Sequence, residues 1–336
     1  MRTLLALDDL ELLRAVGGSR RAAIADELEA LDPGALVGAW ERAGVSSICR
    51  HHDGYPRRLE RLADPPAAIH LFGSRSRLSS VLAGPVVAVV GARNCSREGE
   101  LAGRSVARGC SAAGVTVVSG MALGIDAAAH RGALDGDSRT VAVLAGGPER
   151  PYPARWRALH GELARQGAVI SELPPGTPSY RWAFPARNRL IAALSDMVVV
   201  VEAAARSGSL ITAEIAADIG VAVGAVPGLP GRPLSHATNS LIRDGAALIR
   251  DAGDVLDELL GVRAGPPPAT AIEPGLAEVA ELVAGGFGTA ETIARAAGDG
   301  ASVLADLTRL ELLGIVERRP GGHYVPGPVP WTAKAP

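Results

Sequence analysis

Between Pro85 and Ile249, short runs of β-branched and small apolar residues alternate with segments of helical periodicity. The runs are Val86 to Val90, Val115 to Ser119, Thr140 to Leu144, Ala168 to Ser171, Met197 to Val201, Val221 to Val226 and Ala247 to Ile249. Strands that are apolar on both faces belong to sheets covered on both sides, and helices between them make right-handed crossovers to parallel neighbours. The pattern predicts an α/β fold: a doubly wound, mostly parallel, Rossmann-like sheet.

The 336 residues leave room for more than this sheet. Residues 1–45 read as short helices, their apolar positions broken by Gly17-Gly18 and Pro33-Gly34, and a small helical domain over 1–60, SAM or helix-hairpin-helix-like, is expected there. Residues 61–262 form the expected extended Rossmann-like domain, and Gly265-Pro266-Pro267-Pro268 marks a linker over 263–273. Residues 274–326 read as three helices and a hairpin turning at Pro320-Gly321-Gly322, the winged-helix pattern, with a tail over 327–336. Apolar runs such as Met197 to Val201 fall far below the roughly 20 residues of a membrane span. The opening apolar stretch meets Asp8 and Asp9 too soon for a signal peptide, so a cytoplasmic location without membrane association is expected. Cys49, Cys95 and Cys110 are odd in number and lack metal-ligand spacing, which predicts neither disulfides nor metal, and no cofactor is expected.

Net charge is −2, so no bulk electrostatic argument favours a polyanion. Polyanion binding needs several cations on one face, however, and not a high net charge. In an open parallel sheet, ligands bind beyond the carboxyl ends of the strands. The loops there carry Gly91, Ala92 and Arg93; then Ser119, Gly120, Gly124 and Asp126, with His130 one turn on; then Ser207, Gly208, Ser209 and Thr212; then Pro227-Gly228 and Asn239. Glycine and small hydroxylated residues ahead of helix N-termini leave backbone N–H groups open to phosphate. Each has a plain structural alternative: Asp126 and Ser209 as helix caps, His130 as a packed histidine, the glycines as tight turns.

The segment from Tyr180 to Arg189 is the most informative. It holds Tyr180, Trp182 and Phe184 with Arg181, Arg187 and Arg189, and no acid. Aromatic faces beside guanidinium groups suit single-stranded nucleic acid, where stacking is worth roughly 1–3 kcal/mol per base. The alternative is that Trp182 and Phe184 anchor a packed loop. Gly91-Ala92-Arg93 is not the dinucleotide fingerprint, and no Walker lysine, G-x-S-x-G elbow or H-E-x-x-H pair occurs.

At these same loops the chain resembles the DNA-processing protein A (DprA/Smf) family. The resemblance rests on Gly91-Ala92-Arg93, Ser119-Gly120 through His130, Tyr152-Pro153, Ser171-Glu172 with Pro174-Pro175-Gly176, Phe184-Pro185 with Arg187-Asn188-Arg189, Ser207-Gly208-Ser209-Leu210 with Thr212-Ala213, and Pro227-Gly228 with Asn239. It implies a non-enzymatic, dimeric protein that binds single-stranded DNA, protects it and loads RecA recombinase in natural transformation and recombination. It places phosphate binding on Gly91, Ala92 and Arg93, with Arg187, Asn188 and Arg189 lining the same groove. Ala237 departs from the glycine usual in the family. The competing expectation is a nucleoside-monophosphate-processing enzyme of the lysine-decarboxylase-like phosphoribohydrolase type, to which Ser207 through Glu214 is loosely similar, with Glu214 or Glu202 assisting cleavage.

Overall fold

The computed structural model describes residues 9–16, 18–137, 139–205, 207–261, 270–298, 300–327, 329 and 331–333. The chain divides into two units, Met1–Leu259 and Leu260–Pro336.

The larger unit begins with helices α1 (Asp9–Val16), α2 (Arg21–Glu29) and α3 (Pro33–Arg42), then strand β1 (Val45–Cys49), strand β2 (Ala68–Phe72) and helix α4 (Arg75–Leu82). The alternating region follows: β3 (Val86–Val90), α5 (Arg97–Ala112), β4 (Thr116–Ser119), α6 (Ile125–Asp135), β5 (Thr140–Leu144), α7 (Arg157–Gln166), β6 (Ala168–Ser171), α8 (Ala183–Leu194), β7 (Met197–Val200), α9 (Gly208–Asp218), β8 (Ala222–Ala225), α10 (His236–Arg243), β9 (Ala247–Leu248) and α11 (Ala252–Leu260). All nine strands join one sheet in the order β1-β2-β6-β5-β4-β3-β7-β8-β9. Every pairing from β6 to β9 is parallel, while β1–β2 and β2–β6 are antiparallel.

The period-2 geometry of β3 shows why its five residues are all apolar. Val86, Ala88 and Val90 pack with Leu78 and Val81 of α4 and with Leu190, Ile191 and Leu194 of α8. Val87 and Val89 pack on the opposite face with Val106 and Cys110 of α5 and Ile125 of α6. Burying a valine completely is worth about 1.5–3 kcal/mol, so a polar residue at any of these positions would forfeit a large part of a domain's net stability.

The sheet starts earlier than the sequence pattern suggested. Val45–Cys49, expected inside a helical domain over 1–60, pairs in full register with Ala68–Phe72. Its five residues VSSIC bury Val45 and Ile48 three apart, without the alternation that marks a half-buried strand. Short edge pairing of this kind is decided by the partner and not by local pattern.

The smaller unit holds helices Pro274–Ala284, Ala290–Ala297 and Gly300–Leu312 and the antiparallel hairpin Val316–Arg319 with His323–Pro326. Its core joins Val283, Ile293, Leu307, Leu310, Val316 and Tyr324. Two segments expected as linker and tail pair with each other: Thr270–Ile272 runs parallel to Trp331–Ala333. Ile272 is buried there and joins the core of the unit. The remainder of the expected linker, residues 263–269, lies outside the described residues, as do 328, 330 and 334–336 of the expected tail. Among the described residues no helix is long and apolar enough to cross a membrane.

Candidate functional site

Strand order reverses at β3. The chain moves from β3 outward through β4, β5 and β6, then returns to place β7 on the other side of β3. The loops leaving β3 and β7 therefore diverge and open a crevice beyond their carboxyl ends. A cavity of about 780 Å³ occupies this place, lined among others by Gly91, Ala92, Arg93, Asp126, Phe184, Arg187, Asn188, Ser207, Gly208, Ser209 and Thr212. Eleven expected site residues thus come together although they lie on four separate segments.

Several backbone amides on this edge that sequence alone leaves open to an anion are already taken by the chain's own groups. Ser96 caps α5 by accepting from Gly99 N, and Glu202 accepts from Ser96 N at 2.8 Å and from Ser96 Oγ at 2.6 Å. Ala92 N donates to the Glu202 carbonyl at 2.7 Å. In the loop after β4, Asp126 accepts from Gly120 N at 3.1 Å and Ala122 N at 3.4 Å. Asp126 is therefore a turn-closing acceptor, while Gly124 is the residue that precedes α6. Burial pushes the Asp126 carboxyl above the ordinary range, against the lowering effect of Arg187 nearby.

The start of α9 is capped more loosely. Ser207 precedes the helix and accepts from Ser209 N at a long 3.4 Å, its hydroxyl paired with that of Ser209 at 2.7 Å. Gly208 is exposed, with open space where a Cβ would stand. Asn188 Nδ2 donates to the Gly208 carbonyl at 3.1 Å and so fixes the start of α9 to α8. The first amides of a helix have no intrahelical partner and carry the positive end of its dipole, so this opening favours an anion.

Arg93 is exposed beside it, its guanidinium 4.9 Å from the centre of the Phe184 ring, and Tyr152 tilts against that ring at 5.3 Å. Arg93 and Arg181, both lining the cavity, enter no ion pair among the described residues. Asn94, Tyr152 and Arg181 were not among the expected site residues. Arg181 stands within the aromatic and basic segment that pointed to the site, and Tyr152 within a segment of the family resemblance, so both carried a readable signal.

Of the two other arginines of that segment, Arg187 lines the cavity but is buried, and Arg189 does not line it. Helix α8 turns Arg187 inward, to 6% exposure, where Nη1 donates to the Gly120 carbonyl at 2.8 Å and also to the Val143 carbonyl. Only its cavity edge remains for a ligand, and Nε has no hydrogen-bond partner among the described residues. Burial lowers its pKa to about 10, so it stays charged at neutral pH. Arg189 points elsewhere, bound to Glu172 at 2.7 Å and Asp64 at 3.3 Å, and does not line the cavity. At about 100° per residue, helical positions two apart point about 200° from each other, so Arg187 and Arg189 cannot share one face.

The remaining expected residues support the crevice from behind. Ser119 is buried and donates to the Val89 carbonyl; His130 is buried with Nδ1 2.7 Å from Thr140 Oγ1. Gly120 is glycine because a Cβ would overlap the Arg187 guanidinium. Gly124 adopts φ +74° and leaves no space for a Cβ beside the Ala92 and Arg93 carbonyls. Asn239 holds the Pro227-Gly228 turn by a paired exchange with Gly228, 3.1 and 2.9 Å, outside this cavity. Ala237 is buried away from the cavity, so its methyl does not approach a ligand there. Neither Glu202 nor Glu214, the acids expected of a phosphoribohydrolase, lines the cavity; Glu202 is held by Ser96.

Residues 46–260 match the family model of DNA recombination-mediator protein A. A Mycobacterium tuberculosis relative is 39% identical over 330 residues, covering 94% of this chain and 79% of its own length. The X-ray structure of DNA processing protein A (DprA) from Streptococcus pneumoniae superposes with a TM-score of 0.67 at 35% identity, over 74% of this chain and 86% of that one. DNA processing protein A from Helicobacter pylori, described with its single-stranded DNA binding mode, gives a TM-score of 0.58 at 28% identity, over 65% of this chain and 96% of that one.

Proposed function

Because this chain belongs to the DNA recombination-mediator protein A family, we propose that its switch-point cavity holds the backbone of single-stranded DNA without cleaving it. The observation that carries the reading is the meeting of the α9 N-terminus, loosely capped by Ser207 and exposed at Gly208, with the exposed Arg93 guanidinium and the Phe184 ring. A phosphate at the α9 amides would have Arg93 as its counter-charge, and the attached base would have an aromatic wall. Arg187 contributes positive potential from within and orders Gly120 and Val143, while Arg189 lies outside the contact.

On the same family premise, the protein acts in DNA processing during transformation and recombination as a cytoplasmic homodimer that protects incoming strands and loads RecA. Residues 274–326, three helices and a hairpin, serve as a winged-helix module.

The test is a titration of single against double strands at several salt concentrations. Single strands should bind more tightly, and log affinity should fall against log salt with a slope of about −2 to −4, for roughly three to six neutralised phosphates. Arg93→Glu should weaken binding for every base sequence alike. Equal affinity for duplex and single strand, or an unaffected Arg93→Glu variant, overturns the assignment.

A further inference from the structure

The aromatic surface at the start of α8 extends beyond the cavity. Tyr180 is 48% and Trp182 62% exposed, and their rings lie parallel, 8° between planes with centres 6.1 Å apart. Neither ring lines the cavity, whereas Arg181 between them does. Ala183 N donates to the Tyr180 carbonyl at 3.1 Å, so the turn entering α8 holds both rings at the cavity rim.

A buried aromatic contributes a large apolar area to a fold, and this chain has only three Phe, four Trp and four Tyr. Two of these stand side by side here with about half or more of their surface in water, so much of their apolar area is not used by the fold. Flat, parallel faces next to a free guanidinium fit unpaired bases, which are flat, arrive with phosphates and stack on rings regardless of sequence.

We infer that Tyr180 and Trp182 form a base-stacking platform for the nucleotides of a single strand that leave the cavity past Arg181. The inference rests on the proposed strand-binding function and adds a second contact of different chemistry. The cavity grips backbone charge and the platform takes base faces. Continuity with the cavity through Arg181 selects the strand as occupant, since the same polyanion that fills one end must leave along its rim.

The experiment compares wild type, the double variant Tyr180→Ala/Trp182→Ala, and Trp182→Phe, all in the full chain. The ligands are an oligothymidylate and an abasic strand with the same number of phosphates. Stacking at roughly 1–3 kcal/mol per base corresponds to about 5- to 150-fold in affinity. The double variant should lose at least about tenfold on the oligothymidylate and stay within about twofold of wild type on the abasic strand. Trp182→Phe, which keeps a ring, should retain most of the affinity. A double variant that matches wild type on both strands overturns the platform, as does one that loses both equally. Loss of both together with a changed oligomeric state would assign the rings to contact between copies. A wild-type chain that binds neither strand refutes the underlying function itself.

Discussion

Arg187 offers the sharpest test of the physical account, because the sequence casts it as a strand contact and the fold buries it. Replacing it with methionine keeps roughly the length of the side chain and removes every donor. The Gly120 and Val143 carbonyls then lose their partner in a buried place. Each unsatisfied group costs about 1–3 kcal/mol, and taking one charge out of a buried set costs about 3–5 kcal/mol in comparable cases. These losses overlap, so about 3–5 kcal/mol is the expected total. For a unit of this size each kcal/mol lowers the melting temperature by about 2–4 °C, giving a fall of roughly 6–20 °C. Lysine should rescue little, since an ammonium cannot reproduce the guanidinium fork. Arg93→Ala is the contrasting variant: exposed, it should change stability by no more than about 0.5 kcal/mol while weakening strand binding. Calorimetric or circular-dichroism melting, paired with strand titration well below the transition, separates the two. If Arg187→Met melts within about 2 °C of wild type, buried hydrogen bonds to Gly120 and Val143 are not what this residue is for.

Two further outcomes follow from the supporting shell. Burial, aided by the Arg187 charge, lowers the His130 pKa to about 3, so the folded protein keeps this ring neutral. The unfolded chain takes up the proton near pH 6.5, so His130 contributes stability that is complete above that pH and lost as pH falls from there toward 3. The raised carboxyl of Asp126 acts in the opposite sense, contributing stability at low pH that is lost as pH rises through its folded value. Urea midpoints at pH 7 and pH 5 should therefore converge in His130→Gln relative to wild type; an unchanged difference would show that the histidine does not titrate on unfolding. Gly124→Ala should cost about 2–4 kcal/mol, because an L side chain is strained at φ +74° and its Cβ meets the Ala92 and Arg93 carbonyls. Chemical denaturation reads this directly, and wild-type stability in the variant would contradict the described loop.

The amino-acid sequence alone determined the layered α/β fold. Strands such as Val86–Val90 and Met197–Val200 are apolar at every position, and that property is local, so the pattern survives any detail of packing. It also determined the edge on which the candidate site forms, since parallel strands with helical crossovers put their outgoing loops on one side. Gly91-Ala92-Arg93, Phe184 and Ser207–Ser209 were legible for that reason.

Tertiary structure alone decided which of these groups face the crevice. Glu202 reaches Ser96 across 106 residues of sequence and occupies the amides of one turn, Asp126 occupies those of another, and the α9 start carries only the long Ser207 cap. The same holds for the arginines: Arg93 stays outside, Arg187 is drawn inward by two backbone carbonyls, and Arg189 is held by Glu172 and Asp64. Pairing of the edge strand Val45–Cys49 depends equally on a partner outside its own segment, Ala68–Phe72. Apolar burial is written into each segment by its own composition, whereas the fate of a charge depends on which opposite charge or carbonyl the folded chain carries to it, and distance along the sequence does not encode that.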